Sequence, residues 1–288
     1  MRFGIVANPK SGAASMAHKR LVLERAATIL GDCAVTGLDT KGKDEFLQCA
    51  VDLAGKVEVL IVAGGDGTFS DVINTLPPEK TLSYMPLGSG CAMRYALDLP
   101  PQISRVAPRI RDGREHRLDL ISCDGSTKAF MTSVGFEGSI LHRREALQHN
   151  GIRGPHAYAM ATLGYFFGNV ERTRLTITAD DETLDVPDAV TVIVTKIAYY
   201  GYGMKIVPDA RFDDGYLHLL AVNSPLPEIV QNMATSFFVE NRLGIYKKAR
   251  QITVDTDAER YLQTDGSIYR KGTTFRFEVI ERGLRMWY

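Results

Sequence analysis

Apolar and polar positions along the first 120 residues alternate between two rhythms. Arg2 to Ala7 is a short apolar run that predicts a strand. Met16, Leu23, Ala27 and Leu30 recur on one stripe and predict a helix from Ser15 to Leu30. A second strand is expected over Asp32–Leu38. A helix follows over Asp44–Ala54, with Phe46, Leu47, Ala50 and Val51 facing inward. Val57–Ala63 is a continuous apolar run, the pattern of a strand buried on both faces. A helix over Phe69–Leu76, a strand over Leu82–Leu87 and a short helix over Gly90–Leu97, stopped by Pro100 and Pro101, complete the series. Such alternation implies a mainly parallel sheet with helices on both sides.

Near residue 117 the pattern changes. Arg117–Cys123, a turn at Asp124-Gly125 and Lys128–Phe136 read as a hairpin. Helical material is expected from Ser139 to about Val170. Strands then dominate: Thr173–Thr178, Ala189–Ile197, Tyr216–Asn223, Gln251–Val254, Tyr261–Thr264 and Thr274–Ile280, with one helix at Pro227–Phe238. The expected fold is therefore α/β. An N-terminal parallel α/β domain spans residues 1–120, with the C-terminal segment free to pack back on it, and a β-rich, β-sandwich-like domain spans residues 121–288. A length of 288 residues and a hydrophobic content of 45% suit two domains with their own cores.

Charge and cysteines exclude more than they assign. Lys plus Arg and Asp plus Glu are 34 each, so no broad basic field is available and a nucleic-acid partner is not expected. The cysteines, Cys33, Cys49, Cys91 and Cys123, form no CxxC pair, so neither a zinc site nor a disulfide framework is indicated. No signal peptide is read at the N-terminus. No apolar run reaches the ~18 residues of a membrane span. A cytoplasmic protein is the expectation, with its thiols reduced.

Three turns carry the candidate chemistry. "NPKSG" (Asn8–Gly12) follows the first strand, "GGDGT" (Gly64–Thr68) the third and "PLGSG" (Pro86–Gly90) the fourth. Each alone could be an ordinary turn. All three fall at strand C-termini, the edge of an open parallel sheet where ligands bind. Gly64, Gly65 and Gly67 leave bare backbone N–H groups that a phosphate can approach, and Thr68 can cap a helix or bond a phosphate oxygen. The motif is neither a Walker A loop nor GxGxxG.

These motifs, taken in order, resemble the diacylglycerol kinase catalytic-domain family, which includes bacterial lipid kinases and sphingosine kinases and is distantly related to NAD kinases. The match continues with "PLGSGCAMRYALDLP", "FMTSVGFEG", "GMKIVPDARFDDGYLHLLAV" and "LQTDGSIY", nearly the whole chain. The resemblance implies an active cleft between the domains and a kinase that uses ATP and Mg²⁺ on a hydroxyl of a lipid such as diacylglycerol. The alternatives are a kinase for another lipid-like or isoprenoid alcohol, and a nucleotide- or lipid-binding regulator. It implies a nucleotide site at Gly64, Gly65, Asp66, Gly67 and Thr68, with Asn8, Lys10, Ser11, Gly12, Thr40, Gly88 and Ser89 beside it. It implies a structural Mg²⁺ held by Arg211, Asp214 and Tyr216, and catalytic roles for Asp66 and Asp265. The implied partners are a hydrophobic alcohol substrate, a transient membrane surface at the inner face and a second copy of the chain.

The family pattern breaks in two places. Cys91, Ala92 and Tyr95 stand where it has Asn, Asp and Arg, with Arg94 one residue away and Asp119 the remaining member of that network. Ser267 stands where it has the Glu often assigned as proton acceptor. Serine has no useful basicity near neutral pH. His142, His149 and His156 are read as surface or interface residues. Tyr158, Met160, Leu163, Phe166 and Phe167 form a packing helix or part of an acceptor cleft. The cations of Arg242–Arg250 are a solvated face or a lure for anionic headgroups.

Overall fold

The computed structural model describes residues 1–288 apart from 89, 153, 167, 169 and 242, and apart from the side chains of Gln148, Pro155 and Phe166. The chain divides into two compact units. One comprises Met1–Asp119, Tyr199–Gly203 and Glu281–Tyr288; the other comprises Leu120–Ala198 and Met204–Ile280.

The first unit contains β1 (Phe3–Ala7), α1 (Met16–Ile29), β2 (Ala34–Thr36), α2 (Lys43–Ala54), β3 (Val59–Gly64), α3 (Asp66–Thr75), β4 (Thr81–Pro86), α4 (Ala92–Ala96) and α5 (Ile103–Arg111). The strands lie parallel in the order β2-β1-β3-β4. β1 thus has a neighbour on each side, and the direction of winding reverses between β1 and β3. That reversal opens a crevice at the C-terminal ends of these two strands. Ile5 to Ala7 and Leu60 to Ala63 are fully buried, as continuous apolar runs in a sheet covered on both faces must be. α5 escapes the sequence reading. Ile103, Val106, Ala107 and Ile110 make a sound inward stripe, but Pro108 lies inside the helix and three arginines dilute the signal.

From here β5 (Glu115–Cys123) runs on into the second unit, which holds β6 (Thr127–Ala129), β7 (Met131–Gly135), α6 (Phe136–His149), α7 (Gly154–Phe166), β8 (Thr173–Ala179), β9 (Glu182–Ala189), β10 (Thr191–Thr195), β11 (Leu217–Val222), α8 (Leu226–Thr235), β12 (Ile245–Ala249), β13 (Gln251–Thr264) and the start of β14 (Ser267–Trp287). β12-β11-β10-β7-β13 form an antiparallel run, and β8 and β9 extend from the other half of β13. β13 serves both groups because its pairing with β14 shifts between Asp255 and Arg260. Both groups share one core that includes Val134, Ile177, Val192, Leu219, Ile252, Leu262, Phe275 and Phe277.

Several expected boundaries move. The two strands expected at 251–254 and 261–264 are one bulged strand, and 274–280 is the middle of a 21-residue strand. The helical stretch after Ser139 is two helices, interrupted near Gly151, whose φ of +87° suits glycine. β9 is acidic and carries Pro187, and β12 lies in the basic run, so neither showed the expected apolar alternation.

Candidate nucleotide site and the loop at Asp214

The three glycine turns converge within the first unit. Asn8 ties the first turn to β3 and α3: its amide donates to the Ala63 carbonyl at 3.0 Å and its Nδ2 donates to Thr68 Oγ1 at 2.8 Å. Its Oδ1 accepts from the Lys10 amide at 2.9 Å, folding the turn on itself. Ser11 Oγ lies 3.3 Å from Thr68 Oγ1. Lys19, buried on α1, donates to the Pro9 carbonyl at 2.7 Å, a support that no local pattern marks. The third turn bonds to the second: the amides of Leu87 and Gly88 donate to the Gly64 carbonyl at 2.9 and 3.2 Å. A Cβ on Gly12 would stand 2.1 Å from the Leu87 carbonyl oxygen, and one on Gly88 would stand 2.8 Å from Gly65 Cα. Glycine is required because backbone meets backbone.

α3 begins at Asp66, three residues before the expected start, so Asp66-Gly67-Thr68 form its first turn. Its N-cap, Gly65, has no side chain to accept the first helical amides. An uncapped, dipole-positive helix end therefore faces the β1–β3 crevice, with exposed Lys10 on the neighbouring turn. Thr40 closes its own turn, its hydroxyl donating to the Gly37 carbonyl at 2.7 Å. Gly37 in turn packs so closely that a Cβ would stand 2.7 Å from the Ala7 carbonyl oxygen. The structure thus gathers Asn8, Lys10, Ser11, Gly12, Gly64–Thr68 and Gly88 around one crevice, with Thr40 on the turn that packs against the end of β1. Ser89 lies outside the described residues.

Asp66 points into the unit. Its carboxylate accepts from the amides of Ala92 at 2.7 Å and Met93 at 3.1 Å, which caps α4 from the first turn of α3. Burial pushes its pKa up, against the lowering effect of these two amides. The departures at 91, 92 and 95 become intelligible here. Backbone amides bind Asp66 whatever side chain Ala92 carries. Cys91 takes the left-handed φ of 40°, bonds the Gly88 carbonyl at 3.1 Å, and has its thiol pushed up to about 11 by burial and by the charge of Asp66. Tyr95 lies 5.9 Å from the Tyr199 ring, centroid to centroid, with the Arg94 guanidinium 3.9 Å above its own ring. Asp119 accepts from the Arg282 amide at 2.9 Å, holding the returning C-terminal segment.

In the second unit, Asp265 and Gly266 form a two-residue hairpin loop between β13 and β14, both at positive φ. Asp265 is buried, and its Oδ1 accepts from the amides of Phe130 at 3.2 Å and Met131 at 2.9 Å. Ser267, two residues on, is exposed. Asp265 and Ser267 thus lie in different surroundings.

The loop at Asp214 does not fit the magnesium site that the resemblance implies. Lys196, fully buried, places its ammonium 2.9 Å from Asp214 Oδ1 and donates as well to the Tyr216 carbonyl. Lys248 and His218 Nε2 reach Asp214 Oδ2 at 2.8 and 3.1 Å. His218 Nδ1 is 2.7 Å from the Tyr246 hydroxyl, so a neutral Nε2–H tautomer satisfies both contacts. Burial opposes the charge on Asp214, but hydrogen bonds from Lys248 and Lys196 outweigh it and hold the carboxyl well below the usual range. Two of the three expected ligands, Asp214 and Tyr216, are occupied by an amine, and the Arg211 amide lies 3.4 Å from His218 Nε2. Among the described residues, no group of three or more His, Cys, Asp or Glu could hold a metal.

Apolar surface lies on the second unit. α7 buries Ala157, Ala161 and Tyr165 and exposes Tyr158, Met160 and Leu163. Beyond α8, Phe237 and Val239 are exposed and Phe238 is 91% exposed. Phe167 and the side chain of Phe166 lie outside the described residues. His142, His149 and His156 are exposed, His142 stacking on Tyr261 at 4.9 Å. Two cations of the basic run meet acids, Lys247 on Glu182 at 2.5 Å and Lys248 on Asp214, and Arg250 lies over the Tyr216 ring; Arg242 lies outside the described residues. Among the described residues no helix is long and apolar enough to cross a membrane.

A parallel α/β unit with strand-terminal glycine turns, joined to a β-sandwich-like unit, is the architecture of the NAD-kinase-like class. An NAD kinase from Archaeoglobus fulgidus in complex with ATP shares it at a TM-score of 0.53 and 13% identity, covering 100% of this chain and 93% of that one. A diacylglycerol kinase from Bacillus anthracis shares it at a TM-score of 0.78 and 23% identity, covering 100% and 96%. The diacylglycerol kinase catalytic domain matches residues 2–123, and the YegS C-terminal NAD kinase beta sandwich-like domain matches residues 131–285. The chain belongs to the diacylglycerol kinase catalytic-domain family, a family of phosphotransferases. A diacylglycerol kinase from Staphylococcus saprophyticus is 26% identical over 278 residues, 92% of this chain and 88% of the relative. One from Staphylococcus carnosus is 24% identical over the same shares.

Proposed function

We propose that this protein is an ATP-dependent kinase that transfers the γ-phosphoryl group to a hydroxyl of a lipid such as diacylglycerol. The observation that carries the reading is the convergence of three glycine turns on the uncapped N-terminus of α3. Helix-end amides and Lys10 hold the ATP phosphates, and Ser11, Gly12 and Gly88 complete the cradle. Asp66 acts as a positioning residue, fixing the second and third turns through the amides of α4. The acceptor oxygen attacks the γ-phosphorus as the bond to the β-phosphate oxygen breaks, and ADP leaves. The hydroxyl proton passes to water; Asp265 is buried and bonded to the amides of Phe130 and Met131. Mg²⁺ enters as part of the nucleotide substrate. The exposed Tyr158, Met160, Leu163, Phe237, Phe238 and Val239 support a lipid acceptor and brief contact with a membrane face.

A second reading rests on exposed Ser267 and buried Asp265: a nucleotide- or lipid-binding regulator without turnover. General-base catalysis is worth ~10²–10⁴-fold, and phosphoryl transfer relies mainly on positioning, so a missing base slows the reaction without abolishing it. The test is radiolabelled phosphate transfer from ATP to diacylglycerols, ceramides, sphingoid bases and isoprenoid alcohols in mixed micelles. Labelled diacylglycerol product is expected. Tight ATP binding with no transfer to any acceptor favours the regulator, and no ATP binding removes the kinase reading.

A further inference from the structure

The buried ammonium of Lys196 occupies the place where the family resemblance puts a divalent cation. Lys196 follows β10, whose ladder pairs Thr195 with His218, so Lys196 sits one residue past it, opposite Leu217 and beside Tyr216. Its side chain is 0% exposed. A buried ammonium without partners is strongly disfavoured, and this one is satisfied by the Asp214 carboxylate and the Tyr216 carbonyl. These are the oxygens that a metal would take. Mg²⁺ needs them at about 2.0–2.1 Å in a near-octahedral shell. Here Asp214 Oδ1 accepts from Lys196 at 2.9 Å and from the Tyr216 amide at 3.2 Å, while Oδ2 faces Lys248 at 2.8 Å and His218 at 3.1 Å. One carboxylate already faces two ammonium groups. Adding a divalent ion would put three positive centres on it.

We propose that Lys196 is a covalently tethered replacement for the structural magnesium, so the second unit is held together by an internal cation and its stability is independent of divalent metal. A tethered cation needs no free-ion concentration and cannot be removed by a chelator. Magnesium dependence is then confined to the nucleotide.

The full chain, without nucleotide, is melted in EDTA and in millimolar Mg²⁺. The wild type is expected to give the same Tm in both. Lys196→Ala leaves a void beside Asp214 Oδ1 and the Tyr216 carbonyl, with Lys248 and His218 still on Oδ2. It is expected to melt several degrees lower in EDTA and to recover part of that loss with Mg²⁺. Lys196→Met fills the void without charge and is expected to show the loss without the recovery. A wild-type Tm that rises with Mg²⁺ overturns the proposal. So does a Lys196→Ala variant whose loss is equal with and without Mg²⁺, because Lys196 is then an ordinary ion-pair partner. Should Lys196→Ala not fold, calorimetric titration of wild type with Mg²⁺ decides. No heat of binding is expected, and a saturable heat that Asp214→Asn abolishes overturns the proposal.

Discussion

Asp66 is held between opposing forces: burial raises its pKa, and the amides of Ala92 and Met93 draw the charge back. Asparagine at this position keeps one acceptor oxygen and turns an NH₂ group toward a backbone N–H. Losing a charge-assisted bond in a buried setting costs about 1–3 kcal/mol. Asp66→Asn should therefore shift the urea midpoint downward and weaken ATP binding together, since the same carboxylate fixes the second and third turns. A variant of unchanged stability that loses only phosphoryl transfer would instead place Asp66 at the reacting atoms. The sequence marked Asp66 as unusual beside glycines. It could not reveal that the acceptor's partners lie 26 and 27 residues away on α4. Asp214 offers the same lesson: the family resemblance implied a metal loop there, but Lys196, 18 residues away in sequence, closes it.

Among elements, the strand–glycine–helix units were legible because buried parallel strands are continuous apolar runs and turns need glycine. The start of α3 was not. Glycine at a helix N-terminus looks like turn chemistry until tertiary contacts settle it. The glycines also differ in what they resist. Gly12 has a φ of +69° and the Leu87 carbonyl in its path, whereas Gly266 has a φ of +85° and open space. A left-handed φ alone costs a Cβ-bearing residue roughly 1–2 kcal/mol. Gly266→Ala should lose about that much in a denaturant titration. Gly12→Ala should lose more and bind ATP far more weakly, because the first and third turns must move apart. Equal losses in the two variants, with ATP affinity retained in both, would show that the close approach of the turns is not needed.

For the whole molecule, β14 is the element that local pattern could least foresee. Its last residues leave the second unit and join the first, pairing parallel to β4 through Arg285 and Met286. Leu284 and Met286 are buried there, Trp287 Nε1 donates to the Ile110 carbonyl at 2.7 Å, and Arg285 meets Glu115 at 2.8 Å. Each fully buried apolar side chain contributes about 1.5–3 kcal/mol. Removing residues 284–288 should therefore destabilise the unit that carries the nucleotide turns. Calorimetry of the truncated chain should show a lower melting transition, and ATP binding should fall with it. An unchanged transition would mean that the end of β14 is dispensable.

What the sequence determined by itself is what local chemistry encodes: alternating periods for an α/β unit, a change of grammar near residue 117, and glycine turns at strand ends. Motif order was enough to indicate the family. Tertiary structure alone decided which groups meet across the chain. It turned Asp66 inward onto α4 and gave Cys91, Ala92 and Tyr95 roles in a backbone-bonded loop. It buried Asp265 while exposing Ser267, and set an ammonium at Asp214. Each of these depends on contacts between residues far apart in the chain, and a carboxylate's chemistry follows its neighbours and its access to water rather than its place in a motif.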